Sequence, residues 1–222
     1  MCAVGRNGEQ EWTMTDADVR AVVAEQRRYL TEVLGGLDEP GWDSPTLCEG
    51  WRVREVVAHI TMPYRMSLPG FVLGMIKARG NFNRMSDRSA RADAAELTSS
   101  QLLTCLHDNV NHPWKPPGGG FVGALSHDVI HGLDITVGLG LDDVLPEHRL
   151  RPVLESVRPK QVKYFGVDLT GVQLRADDLD WTFGTGTPLT GRAQDLLLVL
   201  SGRTLPAGHL RGPAADRFSA VG

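Results

Sequence analysis

Val19, Val22, Val23, Leu30, Val33, Leu34 and Leu37 recur at the three- and four-residue intervals that put side chains on one face of a helix. Thr15-Asp16-Ala17-Asp18 precedes them as a capping box with Asp in the place of the usual Glu, and Gly35-Gly36 closes the run. The same period returns in Val53, Val56, Val57 and Ile60, where a helix is expected to stop before Pro63. It returns again in Leu97, Leu102, Leu103, Leu106 and Val110, ended by His112-Pro113 and Pro116-Pro117-Gly118-Gly119-Gly120, and once more from Phe121 to Gly138. Residues 66–79 predict a short helix, and the polar stretch 80–91, with Arg84, Arg88 and Arg91, predicts an exposed connection. Four amphipathic helices joined by long connections can bury their apolar faces only against one another, which is a four-helix bundle.

The period changes after about Gly166. Val172, Leu174 and Ala176 alternate with polar residues, Trp181 and Phe183 alternate again, and Gly184-Thr185-Gly186-Thr187-Pro188 closes that second strand. A last helix is expected from Thr190 as N-cap, with Ala193, Leu196, Leu197 and Leu200 on one face and Gly202 at its end. Residues from Ala207 onward are expected to be irregular or frayed. The expected class is therefore α+β, with a helix-bundle domain over 1–160 and a small α+β domain over 161–222.

Twenty-three Lys+Arg against 27 Asp+Glu give a net charge of −4, which argues against nucleic acid or an anionic membrane as the main partner and favours small-molecule chemistry. Cys2, Cys48 and Cys105 are odd in number and widely spaced, so they predict neither a disulfide framework nor a cysteine zinc site, but reduced thiols. With no signal-like start and no membrane-length apolar run, a cytoplasmic protein is expected.

His127 and His131 stand four residues apart in a helical segment and so project two imidazoles from one face. A third, His59, sits in an earlier apolar helix and would complete the three-ligand set of a metal site that keeps one position open. Asp134 continues the His127–His131 stripe and could accept the second ring N–H of a ligand, fixing its tautomer. A solvated polar stripe is the bland alternative for an isolated His-x-x-x-His, but Val129, Ile130, Leu133, Ile135 and Val137 surround this one. His107, His112, His148 and His209 fall beside helix ends or loops and are given no metal role.

His127-Asp128-x-x-His131 also invites comparison with the His-Glu-x-x-His peptidases, but the Asp is one methylene short and no metzincin-type continuation follows. Gly118-Gly119-Gly120 lacks the Gly-Lys-Ser/Thr ending of a phosphate loop and reads as a linker. Lys77, Arg79, Arg84, Arg88 and Arg91 could attract an anion, though a solvated basic loop accounts for them.

The segment Trp42-Asp43-Ser44-Pro45-Thr46-Leu47-Cys48-Glu49-Gly50-Trp51-Arg52-Val53-Arg54-Glu55-Val56-Val57-Ala58-His59-Ile60 resembles the actinobacterial mycothiol-dependent maleylpyruvate isomerase family, within the wider DinB-like helix bundles. So do His131-Gly132-Leu133-Asp134-Ile135, Ala176-Asp177-Asp178-Leu179-Asp180-Trp181-Thr182 and Leu200-Ser201-Gly202-Arg203. The resemblance implies an amino-terminal bundle binding zinc or another divalent ion through His59, His127 and His131, followed by a small carboxy-terminal domain. At the position of His127 the isomerase carries a glutamate, so the set here is nearer the three-histidine DinB-like sites. By the same analogy Arg203 is a substrate-side residue, although a cation at a helix C-terminus is favourable in itself.

The reading that follows is a metal-dependent thiol transferase or isomerase that uses mycothiol on a small electrophile, Asp134 and Arg203 being its catalytic candidates. A metal-dependent hydrolase, with Asp128 or a loop carboxylate as base, is the second reading. A non-catalytic metal- or ligand-binding stress-response module is the third.

Overall fold

The computed structural model describes residues 14–220. Ten helices occur among them: α1 (Asp16–Gly35), α2 (Glu39–Trp42), α3 (Val53–Arg65), α4 (Leu68–Lys77), α5 (Phe82–Glu96), α6 (Ser99–Asp108), α7 (Gly120–Gly138), α8 (Glu147–Ser156), α9 (Pro159–Tyr164) and α10 (Ala193–Leu200). Three strands, β1 (Val172–Ala176), β2 (Thr182–Gly184) and β3 (Thr187–Gly191), form one sheet in the order β2-β1-β3.

The bundle consists of α1, α3, α6 and α7, packed in a closed ring in which α1 touches α7 and α6, and α3 touches the same two. These are the four helices marked by large apolar residues in the sequence. Thr15 caps α1 by accepting from the Asp18 N–H, while the Asp18 carboxylate accepts from the Thr15 N–H at 2.9 Å, which completes the expected capping box. Leu30, Leu34, Val53, Val56, Val57, Ile60, Leu102, Leu106 and Ile135 bury one face of the ring. A second apolar cluster runs from Val129 and Leu133 through Leu150 and Leu154 to Leu174, Leu189 and Leu196–Leu200, so α7, α8, α10 and the sheet share a core.

Four local expectations are corrected. Residues 80–91 are not a connection: Phe82–Glu96 is a helix, capped by Asn81 and packed on α3 through Met85, Ser86, Ala90 and Ala94. Small residues make that buried stripe, so hydropathy scarcely shows it. The helix carrying His59 does not stop before Pro63 but runs to Arg65. Arg65 Nη2 and Thr61 Oγ1 also donate to the Ala58 carbonyl at 2.9 and 3.3 Å, tying the turn around Pro63 back to the helix. Thr190 is not an N-cap, because it lies in β3, paired parallel with Arg175 of β1. The first N–H of α10, that of Ala193, is instead taken by the Asp178 carboxylate at 2.8 Å. The segment beyond Ala207 is tied down by bridges Thr190↔Arg211 and Leu205↔Ser219, with Leu210 and Phe218 buried. No helix among the described residues is long and apolar enough to cross a membrane.

Gly138, the last residue of α7, lets the 45–47 loop lie against the helix. A Cβ there would stand 2.9 Å from Thr46 Cα and 3.2 Å from Leu47 N, both backbone atoms. Overpacking of this kind costs about 1–3 kcal/mol, against a helix-propensity gain of at most about 1 kcal/mol. Gly138→Ala should therefore lower the midpoint of thermal unfolding; an unchanged or raised midpoint would show that the loop moves aside freely.

Candidate metal centre

Because α3 and α7 are neighbours in the ring, His59 meets His127 and His131. One ligating atom from each falls within 4.8 Å of the others. His59 Nε2 and His127 Nε2 are 3.1 Å apart, and the three ring centroids lie 4.8–5.0 Å from one another. Two nitrogens roughly 2.0–2.1 Å from a zinc ion at tetrahedral angles are separated by about 3.3 Å, so the spacing suits a shared cation.

Each imidazole is held from behind at its Nδ1. His127 Nδ1 lies 2.9 Å from Asp128 Oδ1, His131 Nδ1 3.0 Å from Asp134 Oδ2, and His59 Nδ1 2.9 Å from Ser86 Oγ. A carboxylate only accepts, so each Asp takes an N–H from its histidine and leaves the Nε2 lone pair pointing inward. Lone pairs facing at 3.1 Å repel unless a cation or a proton lies between them. The donor set therefore fits a divalent ion.

The two carboxylates are backed by arginines. Arg27 Nε donates to Asp128 Oδ2 at 2.7 Å, both side chains being 1% exposed, and Arg27 Nη1 donates to the His112 carbonyl at 2.8 Å. Arg203 donates to Asp134 through Nε at 2.8 Å and Nη2 at 2.7 Å, and to the Ser201 carbonyl through Nη1 at 2.6 Å. Two His–Asp–Arg relays thus leave α7, one ending on α1 and the other on the segment after α10.

Electrostatics follow from this wiring. Burial works against the charge of Asp128 and Asp134, yet the His127 and Arg27 contacts for the first, and the Arg203 and His131 contacts for the second, hold both carboxyls below the ordinary range. Burial depresses the basicity of His59 strongly, helped by His131 and His127, and lowers that of His131 despite the opposing pull of Asp134. Both rings are then neutral near pH 7, the form that binds a metal.

A stability window results. An unfolded histidine takes up a proton near pH 6.5 while folded His59 and His131 resist it, so the unfolded state binds more protons below that pH and stability falls with acid. Metal-free protein should lose thermal stability as pH drops from about 6.5 toward 5. His59→Ala should flatten that slope, and a slope unaffected by the substitution would sink the assignment.

Trp51 stands 5.1 Å from His59 and 6.3 Å from His131 between ring centroids, with its Nε1 donating to Asp87 at 2.8 Å. Trp114 flanks His127 at 5.2 Å. Cys48 also comes close to His131 and Asp134, but burial, with Asp134 nearby, pushes its thiol up to about 11, so it stays protonated. The structure thus brings together all five residues singled out in the sequence, His59, His127, His131, Asp134 and Arg203. Sequence reasoning missed Asp128 as the orienter of His127, and it missed Ser86, Trp51, Trp114 and Arg27. Only Arg27 left a usable signal: it occupies a core position in the Val23, Arg27, Leu30, Leu34 series.

Comparison with known proteins bears on part of the bundle. Residues 23–109 match the family of the mycothiol maleylpyruvate isomerase N-terminal domain. That stretch runs from within α1 through α6 and contains His59, whereas His127, His131, Asp134 and Arg203 lie beyond it. This match agrees with the family resemblance drawn from the sequence and is confined to this part of the chain. Over the longer range, the chain is similar in fold to two crystal structures of the mycothiol-dependent maleylpyruvate isomerase. A histidine-to-alanine mutant of that enzyme superposes with a TM-score of 0.59 at 13% identity, covering 91% of this chain and 94% of the other. The isomerase itself gives 0.56 at 12% identity with the same coverage. At such identity the likeness concerns the fold: a helix bundle followed by a small α+β unit. No curated protein matches the sequence.

Proposed function

We propose that the protein is a metal-assisted, mycothiol-using thiol transferase or isomerase acting on a small electrophilic or unsaturated substrate. The observation that carries this reading is the convergence of three imidazoles, each fixed at its Nδ1 and two of them through buried His–Asp–Arg relays. The family match over residues 23–109 supports the thiol as co-substrate.

His59, His127 and His131 would hold a divalent ion, zinc first among the candidates, and such an ion supplies Lewis acidity that keeps a neighbouring thiol deprotonated at neutral pH. The chain's own groups do the rest. Asp128 and Asp134 keep the Nδ1 protons in place, so each neutral ring turns its Nε2 lone pair toward the ion. Arg27 and Arg203 keep those carboxylates ionised in a buried setting, acting as positioning residues. Trp51 and Trp114 wall the cluster and limit water, which strengthens charge interactions within it. No side chain here is poised as a nucleophile, since the Cys48 thiol is held protonated. In an isomerisation the thiol sulfur would add to one alkene carbon, the resulting single bond would rotate, and the same C–S bond would break, returning the thiol.

The test is turnover by full-length protein, with and without added zinc, in the presence of mycothiol and either maleylpyruvate or a chromogenic electrophile. Conjugation or cis–trans conversion that needs both metal and thiol is expected. Ester or amide cleavage without any thiol would overturn the reading in favour of water chemistry. Tight metal binding with neither reaction would make the centre non-catalytic.

A further inference from the structure

A groove of about 330 Å³ lies between α1 and the segment Val110–His112, bounded by Phe121. It shares no histidine with the metal centre. Ala17, Ala21 and Ala24 recur at helical spacing along it, so this stripe of α1 sets only methyl groups against the space. Arg20, Arg27 and Arg28 all line it, and among the described lining residues there is no carboxylate. Arg20 lies over the Phe121 ring at 5.3 Å, and Lys115 approaches the same ring at 4.6 Å. Four cations thus gather round one small cleft in a chain whose net charge is −4.

Arg27 supplies the independent observation. Its Nε serves Asp128 and its Nη1 serves the His112 carbonyl, but its Nη2 has no hydrogen-bond partner among the described residues although the side chain is 1% exposed. A buried guanidinium donor left unmade costs free energy that an acceptor would recover. Guanidinium groups match carboxylate and phosphate oxygens geometrically, and the cleft has the volume of a small-molecule site rather than of a docking surface.

We propose that this groove binds a small oxyanion-bearing molecule, a carboxylate or a phosphate, with Arg20 and Arg28 as exposed clamps above the incompletely bonded guanidinium of Arg27. The alanines and Val110 would accept a short apolar portion of the same ligand. Since Arg27 also holds Asp128, the occupant is one guanidinium and one carboxylate away from His127.

The test uses the full chain titrated with inorganic phosphate and, separately, malonate, at ionic strength held constant with sodium chloride. Binding is read by calorimetry and by the Arg27 Nε–Hε resonance. Saturable binding of at least one anion, with a shift of that resonance, is expected, and which anion binds decides between phosphate and carboxylate. Arg20→Gln with Arg28→Gln should weaken it at least roughly tenfold, about 1.4 kcal/mol. Ala21→Glu, which places a carboxylate in the groove on an exposed helix face, should abolish it. A response that follows ionic strength alone, no saturation with either anion, or equal binding by the wild type and these variants overturns the proposal.

Discussion

Replacing His131 by alanine should cut metal affinity by well over the roughly 10–100-fold typical of losing an outer hydrogen-bond partner, and should bring thiol-dependent turnover down to the metal-free level. The reason is geometric: α7 presents only two of the three imidazoles, so the substitution leaves one from α7 and one from α3, too few to hold an ion and keep it reactive. Asp134→Asn provides the graded comparison. It keeps the shape but lets the amide present its N–H toward His131 Nδ1, which disturbs the tautomer, so a loss of roughly 10–100-fold is expected. Competition with a chromophoric chelator measures both. Wild-type affinity in His131→Ala would remove the ring from the ligand set.

The second large effect is on stability. Asp128→Ala strands the Arg27 guanidinium, 1% exposed and bound to Asp128 at 2.7 Å, without its counter-charge. Breaking a buried pair from one side costs about 3–5 kcal/mol. Denaturant unfolding of metal-free protein should show this as a large drop in midpoint with little change in slope. The double substitution Arg27→Met with Asp128→Leu should recover much of the loss, because replacing both partners by apolar groups removes the desolvation cost together with the attraction. If Asp128→Ala alone were near neutral, Arg27 would have to reach water easily, contrary to its burial.

The parts legible in the sequence are those where large side chains carry the signal. Leu30, Leu34, Val53, Val56, Val57, Leu102 and Leu106 made three of the ring helices, α1, α3 and α6, readable, and all are buried. The His127–His131 spacing was legible because one helix carries both. Helix α5 was not, since it buries Met85, Ala90 and Ala94 beneath a row of arginines, and alanine is a poor marker of an inward face. Thr190 looked like a cap because its local chemistry suits one, but the acceptor used, Asp178, is 15 residues from the Ala193 N–H it takes. The relays were hidden for the same reason at greater range: Arg27 and Asp128 are separated by 101 residues, and Arg203 and Asp134 by 69. Nothing in a local window reports such a pairing. A lone arginine in an apolar series can announce that a partner exists, without saying which carboxylate it is.

The two arginines that end the relays belong to parts of the chain far apart. Arg27 sits near the start, on the first helix of the bundle, and Arg203 follows the helix that covers the small sheet. Correct electrostatics at the three imidazoles therefore presuppose that both α1 and the segment after α10 are in place. During synthesis the ring of helices emerges first, yet Asp134 would lack its cation until residue 203 arrives. A displaced segment after α10 should therefore disturb His131 through Asp134 while leaving the Arg27–Asp128 pair behind His127 in place.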